Sequence, residues 1–495
     1  MFSQIKFDNQ YARLPAEFFH RVSPEPMAGM AFASLNSDVL QLLGLTQAEF
    51  DTQQSLNYVT GAETWPGSDP LAMCYAGHQF GVYVPRLGDG RAVLLGQVRN
   101  EQQQLWDFQI KGSGVTRYSR RGDGRAVLRS CIREYLCSEA MHGLGIPTTR
   151  ALALISTKQG VYRETLEPGA MMLRVAQSHV RFGSFEYFFY EQKFEYLKRL
   201  ADYVIHEYYP DLKDQADAYQ NLFSKILKKT AKLIAQWQGV GFAHGVMNTD
   251  NMSVLGLTLD YGPFAFLDTY EANYICNHTD TAGRYAFSQQ PQVSLFNISC
   301  LAQAMLPLFT EAPEAAAEFA RTELSQYQSV YQAEYLNISR DKLGLKEQEK
   351  EDASLMESLL TLMEGQADFT LFFRQLGDMR IENTQQEQSD NNLAEHFPDS
   401  QGLLDWLAQY RVRLHREKSN DAQRKIRMNK VNAKYILRNH LAESAIRLAE
   451  YENDFSEVER LLTLLRRPFD EQPSQEHYAK TPPAWAKDIC ISCSS

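Results

Sequence analysis

His244-Gly-Val-Met-Asn-Thr-Asp-Asn251, followed after an apolar run by Asp260-Tyr-Gly262, is the stretch on which the reading of this chain turns. Asn251 and Asp260 offer hard oxygen atoms, the donors that Mg²⁺ or Mn²⁺ takes when it bridges phosphates. The same Asn-Thr-Asp-Asn is good turn chemistry in any protein. Asp250 is the only carboxylate in the first loop. It could take a proton from an attacking hydroxyl, or steer a metal from behind Asn251. His244 in such a loop more often organises hydrogen bonds than titrates.

The spacing is that of a protein kinase with one part replaced. Kinases place His-Arg-Asp, four residues and Asn before an Asp-Phe-Gly. Counted from His244, the Asn position holds Asn251 and the Asp-Phe-Gly position holds Asp260, Tyr261 and Gly262. The position of the catalytic Asp holds Val246, which accepts no proton. The metal loop is kept and the usual base is gone. The chain is then either an inactive kinase relative or an enzyme doing different chemistry with ATP.

Working outward, a strand-like run ends on Lys111, and Glu134 follows inside a helical pattern spanning about 126–142. Val127, Leu128, Cys131, Ile132, Tyr135 and Leu136 recur there at helical spacing, and Gly143 with Gly145-Ile-Pro147 stops it. A strand Lys paired to a helix Glu is how kinases hold a nucleotide phosphate. Both residues are more often simply exposed. Their order ahead of Asn251 and Asp260 makes the pair the better reading. Between Arg86 and Arg150 there are eleven Lys and Arg against six Asp and Glu, within a chain of net charge -11. Such a basic island suits a polyanionic ligand. Arg174 and Arg181 sit in an apolar setting, where a carboxylate and a phosphate are equally good partners. Gly-Asp-Gly-Arg-Ala-Val-Leu occurs twice, at 88–94 and 122–128. For fold, chance reuse of a turn explains it. For function, both copies would present backbone N–H groups and an Arg to phosphates.

Residues 1 to about 185 are rich in Gly, β-branched and aromatic residues, with strand-like runs at 92–98, 106–110 and 151–155. From Phe185 onward the pattern is helical, with amphipathic candidates at 194–208 and 222–237. A polar segment at 383–392 reads as a surface loop, and a basic helix pair as 422–449. These features predict an α+β, protein-kinase-like two-lobed fold. The strand-rich N-lobe with one long helix spans 1–185, a helical C-lobe with extensions spans 186–470, and an irregular tail spans 471–495.

The 495 residues can bury a large core, and 44% apolar with 22% charged content is ordinary for a soluble protein. The acidic balance argues against nucleic-acid binding. No window reads as a membrane span and the first residues do not read as a leader, so a cytoplasmic location is expected. Seven cysteines do not make a disulfide scaffold. Cys490 and Cys493 form a C-x-x-C near the end of the chain.

Taken together, Tyr-Ala-Gly-His-Gln-Phe-Gly at 75–81, Gln-Ile-Lys-Gly-Ser-Gly at 109–114, the arginine-rich 119–130, Arg-Val-Ala-Gln-Ser-His-Val-Arg-Phe-Gly at 174–183 and the 244–253 loop resemble the selenoprotein O (SelO) family of pseudokinases, in a Cys-containing form. The resemblance implies a protein adenylyltransferase that moves AMP from ATP to Ser, Thr or Tyr hydroxyls of proteins, redox-related ones among the candidates. ATP would bind inverted relative to kinases, with Mg²⁺ (or Mn²⁺). It implies that Lys111, Arg174 and Arg181 hold phosphates and that Glu134 orients Lys111. Gly88, Gly90, Arg91, Asp123 and Gly124 would line the nucleotide. Asn251 and Asp260 would bind the metal, Asp260 also meeting ATP, and Asp250 would accept the proton. The tail matches the position of the family's selenocysteine or cysteine, and a redox switch joining Cys493 to Cys276 is the sharper reading of two otherwise idle thiols. The competing readings are an ATP-binding scaffold without activity and a phosphotransferase using Asp250 as base.

Overall fold

Alternation along the strands builds the sheet and aims its polar residues. In the strand Leu166–Ala176, Met171, Leu173 and Val175 face one core, while Ala170 and Met172, and with them Arg174, face the other. The computed structural model describes residues 5–381, 386–395, 397 and 400–491. In chain order the strands are β1 (Phe19–Arg21), β2 (Ala31–Leu35), β3 (Leu71–Met73), β4 (Gly77–Gln79), β5 (Val82–Val84), β6 (Ala92–Arg99), β7 (Leu105–Lys111), β8 (Ala126–Val127), β9 (Arg150–Tyr162), β10 (Leu166–Ala176), β11 (Phe242–Ala243) and β12 (Ala265–Phe266). Eight of them form one antiparallel sheet in the order β1-β3-β6-β7-β10-β9-β2, with β8 on β10. β4–β5 is a separate hairpin, and β11 pairs with β12.

Three short helices, α1 (Ser37–Leu42), α2 (Gln47–Phe50) and α3 (Gln53–Thr60), cover one face, where Val39, Leu40, Phe50 and Leu56 join Val93, Phe108 and Leu173 in one core. The long helix α4 (Leu128–Gly143) covers the other. It is buried nearly all round, so its charges need partners. Glu139 takes both of its oxygens to Arg150, each at 2.7 Å.

The rest is helical: α5 (Phe182–Tyr190), α6 (Phe194–Tyr208), α7 (Ala218–Gly239), α8 (Gln290–Phe309), α9 (Pro313–Lys342), α10 (Asp352–Met363), α11 (Phe369–Leu376), α12 (Gln386–Ala394), α13 (Ser400–Arg416), α14 (Asp421–Met428), α15 (Asn439–Glu452) and α16 (Ser456–Leu465). α7, α8 and α9 pack on one another, and α15 with α16 return to pack on α4. Arg466, just after α16, reaches Asp38 of α1 at 3.3 Å.

The expected strands at 92–98, 106–110 and 151–155 lie within β6, β7 and β9, and the helix expected at 194–208 is α6. Three expectations need correction. The helix placed from 126 starts at Leu128, because Ala126 and Val127 pair with Ala170 and Gly169 as β8. The loop expected at 383–392 becomes helix α12 from Gln386. Its polar sequence hides a buried ion pair of Asp390 with Arg411 and an apolar contact through Leu393 and Ala394. The stretch Phe287–Phe309, which the sequence reading passed over, is by length and composition apolar enough to cross a membrane. More than half of it is buried against α5, α7 and α9, the environment of a core helix.

Candidate functional site

β7 ends on Lys111. Ile110 before it faces the α1–α3 core, so Lys111 and Gln109 turn toward α4. There Lys111 Nζ pairs with Glu134 Oε2, the two side chains being 7% and 1% exposed. The β7–β10 register sets Arg174 opposite Gln109, and Arg174 Nη1 reaches the other Glu134 oxygen at 3.1 Å. The same guanidinium pairs with Asp260, which also pairs with Arg181. Arg181 lies 4.7 Å over the Tyr75 ring and donates to the Asp250 carbonyl at 2.6 Å. Asp260 itself sits at a φ of 55°, in the left-handed region that non-glycine residues enter at a cost. Burial alone would raise its pKa, but Arg181 and Arg174 outweigh that and hold the carboxyl well below the usual range. Glu134 is held low in the same way, burial being outweighed by Lys111 and Arg174.

The 244–251 loop ends in a 3-10 turn, Thr249–Asn251. His244 organises it: Nε2 meets the Leu259 carbonyl at 2.9 Å, and the ring stacks on Trp237 at 5.2 Å. Burial lowers its pKa, so it stays neutral. Asn251 spends its amide nitrogen on the Val246 carbonyl at 2.9 Å, which leaves its oxygen for a cation. The β4–β5 hairpin buttresses this turn. His78 N donates to Thr249 Oγ1 at 2.6 Å, and Gln79 Nε2 donates to Asp250 Oδ2 at 3.2 Å. Only glycine fits at 77, since a Cβ there would lie 2.9 Å from both Asp250 Oδ1 and Thr249 Oγ1. Asp250 Oδ1 has no hydrogen-bond partner among the described residues. Burial pushes the Asp250 carboxyl up to about 7, against the lowering effect of Arg181 and Gln79.

Both heptapeptide copies line the same cavity, of about 730 Å³, together with Lys111, Arg174, Arg181, Asp250, Asn251 and Asp260. In the first copy Gly88 has a φ of 84°, and a Cβ there would lie 2.5 Å from the Tyr118 ring. Asp89 turns inward and accepts from the Met73 amide at 3.1 Å and from Gln109 at 3.1 Å, so Gly88, Gly90 and Arg91 form the rim. In the second copy Asp123 pairs with Arg163 at 2.8 Å and accepts from Arg125 N at 2.9 Å, with Gly124 beside it. The cavity wall carries eight Lys and Arg against four Asp, so it favours a polyanion.

Asn251 and Asp260 fit a hard divalent cation by donor chemistry. Among the described residues no group of three or more His, Cys, Asp or Glu forms a metal cluster. A cation held by these two oxygens would therefore draw its remaining ligands from phosphates and water. Cys276 is buried beneath the loop, its Sγ 3.6 Å from the Ala243 carbonyl. Cys493 lies outside the described residues. The tail comes close, since the Ile491 carbonyl accepts from His278 N at 2.9 Å.

The sequence reading missed Gln79, Asp89, Tyr118 and Arg163 as parts of the wall. The repeated Gly-Asp-Gly-Arg pointed to Asp89, but nothing local marked Gln79 or Arg163.

A family model described as protein adenylyltransferase SelO matches residues 1–466. A protein nucleotidyltransferase YdiU of Myxococcus xanthus (strain DK1622) is 51% identical over 493 residues, 99% of either chain. One of Thioalkalivibrio sulfidiphilus (strain HL-EbGR7) is 51% identical over 492 residues, again 99% of either chain. One of Thiobacillus denitrificans (strain ATCC 25259 / T1) is 48% identical over 491 residues, with 99% of each covered. These matches place the protein, with its basic cavity, in the class of protein nucleotidyltransferases. Within that class, the chain belongs to the SelO family of protein adenylyltransferases.

Proposed function

We propose that this enzyme transfers AMP from ATP to Ser, Thr or Tyr hydroxyls of other proteins on a protein-kinase-like, two-lobed fold. Residues 1–185 would hold the phosphates, 186–470 would supply the metal loop, and 471–495 would be a regulatory tail. The observation that carries this is the clamp on Asp260: two buried arginines, Arg174 and Arg181, converge there beside Lys111. Three cations at one end of the cavity suit the two phosphates of a pyrophosphate leaving group, which calls for ATP inverted relative to kinases. Lys111, Arg174 and Arg181 hold those phosphates, and Glu134 orients Lys111. Gly88, Gly90, Arg91, Asp123 and Gly124 line the nucleotide.

The acceptor hydroxyl oxygen attacks the α-phosphorus, the bond to the β-phosphate oxygen breaks, and pyrophosphate leaves with that electron pair. Asp250 takes the hydroxyl proton. Its carboxylate is under-satisfied, with one side-chain donor from Gln79. When bound by Asn251 and Asp260, Mg²⁺ (or Mn²⁺) neutralises phosphate charge. The tail contact of Ile491 with His278, two residues beyond Cys276, supports a redox switch between Cys276 and Cys493. A switch of that kind suits an enzyme of the reducing cytoplasm acting on redox-related proteins.

The test is ATP labelled at either the α- or the γ-phosphate, given with a generic protein acceptor and reductant, with Asp260→Ala as control. Label passing from the α-position alone, and lost in Asp260→Ala, is the expected result. Label passing from the γ-position alone would make the enzyme a kinase using Asp250 as base and overturn the reading.

A further inference from the structure

The hydroxyl that receives AMP has to reach Asp250 from outside, and a second groove is lined by the neighbours of Tyr285, whose phenol meets Asn248 two residues before Asp250. We propose that this groove, formed within the segment 273–296, seats the acceptor segment of the protein substrate, and that Arg284 selects an acidic side chain near the acceptor hydroxyl. The inference rests on the adenylyl-transfer reading above and names the kind of acceptor that the site takes.

The groove has a volume of about 640 Å³ and is lined by Ile275, Arg284, Gln292, Val293 and Phe296 among others. Its wall is continuous with the catalytic turn. Gln79 donates to Asp250, and the next residue, Phe80, donates its backbone N–H to Tyr285 Oη at 2.8 Å. Tyr285 Oη in turn donates to Asn248 Oδ1 at 2.6 Å, two residues before Asp250. These contacts tie the turn that carries Asp250 to Tyr285, whose chain neighbours Arg284 and Ala286 line the groove.

Exposed apolar side chains flank Arg284: Ile275 lines the groove, and Phe80 and Val82 stand on either side of Gly81, which packs on the guanidinium. Phe80, Val82 and Ile275 are 44%, 68% and 42% exposed. Large exposed apolar side chains gathered around one cation mark a contact surface. Between them lies one cation. The Arg284 guanidinium stands 4.9 Å over the Phe296 ring and packs against Gly81. It has no carboxylate partner among the described residues, and its Nε is buried without an acceptor. The neighbouring acid, Asp280, is occupied by the backbone amides of Arg284 and Tyr285, at 3.0 and 2.7 Å. The guanidinium also hydrogen-bonds the neutral phenol of Tyr285, and a stacked, half-desolvated guanidinium without a carboxylate partner is a strong site for one. An acidic residue flanking a hydroxyl, with apolar neighbours, is the chemistry that fills this groove.

The test uses the full chain with reductant, α-labelled ATP, and matched peptides carrying one hydroxyl flanked by Asp or by Lys. The wild type is expected to prefer the Asp-flanked peptide. Arg284→Glu should raise its KM about tenfold, the scale of one charge-assisted contact, and restore transfer to the Lys-flanked peptide. Affinity for a non-hydrolysable ATP analogue should stay within about twofold, which also reports a folded variant. Ile275→Glu, at an exposed position, should weaken the Asp-flanked peptide in the same direction. Equal use of both peptides by the wild type, or a KM change in Arg284→Glu that does not depend on the peptide's charge, would overturn the proposal. Transfer of no α-label to any acceptor by the wild type would instead sink the reading on which it rests.

Discussion

Arg181 and Asp260 are ion-paired where the cavity's cations meet its acids, and the same guanidinium nitrogen also donates to the Asp250 carbonyl. The group expected to hold a phosphate is thus neutralised by the group expected to hold a cation. Each must let go of the other before either can take its ligand. Cation and nucleotide should then bind with mutual help. Mg²⁺ or Mn²⁺ is expected to bind about tenfold more tightly when an ATP analogue is present, within the usual range of such couplings. Calorimetric titration with and without the analogue checks this, and equal affinities would remove the linkage.

Glu134 carries two buried cations, Lys111 and Arg174. Glu134→Ala leaves Lys111 without its carboxylate and Arg174 with Asp260, a change that costs about 3–5 kcal/mol when a buried pair is broken. Lys111→Met leaves Arg174 on Glu134 and should cost less stability while still weakening nucleotide binding. Denaturant unfolding of the two variants, set beside nucleotide titration, separates these effects. Equal stability losses would show that Glu134 does not serve both cations.

Gly77 lies against the carboxylate and the backbone of Asp250. Gly77→Ala must push the turn aside, and a displacement of that order lowers turnover about 100-fold in a well-positioned site. The loss should fall more on kcat than on KM for ATP, because Lys111 and Arg174 lie on other elements while Arg181 touches the turn through the Asp250 carbonyl. A KM effect alone would contradict the packing.

Lys342 gives a pH dependence remote from the site. It is buried, with Nζ 4.1 Å from the Phe373 ring and no carboxylate partner among the described residues. Burial lowers its pKa from 10.5 to about 7. Between those values the unfolded chain holds the proton and the folded chain does not, so this group's contribution to stability rises with pH. Lys342→Met should be more stable than the wild type at about pH 6, with the gap narrowing toward about pH 9. Unfolding midpoints at both values decide it, and parallel curves would refute the assignment.

What the sequence made legible was local or ordered. Lys111, Glu134, Asn251 and Asp260 announce themselves through spacing along the chain, because a strand end, a helix face and a tight turn each have their own periodicity. The repeated Gly-Asp-Gly-Arg promised two phosphate loops, and both copies face one cavity. Hidden were contacts that only tertiary structure creates. Gln79 meets Asp250 across 171 residues, and no pattern in either segment marks the pair. The joint hold of Arg174 and Arg181 on Asp260 was open in sequence, since a buried Arg takes a carboxylate or a phosphate equally well. α12 was masked by composition, its packing resting on the Asp390–Arg411 pair and on Leu393 and Ala394 at its end rather than on an apolar stripe along its length.

The return of α15 and α16 to pack on α4 bears on when this enzyme can first act. The helix that presents Glu134 gains its outer support from residues synthesised more than three hundred positions later. A nascent chain that has not reached α15 therefore carries Lys111, Glu134 and Arg174 without the helices that pack on α4. The support of Glu134 is thus a late arrival in the chain's synthesis, long after the strands that face it.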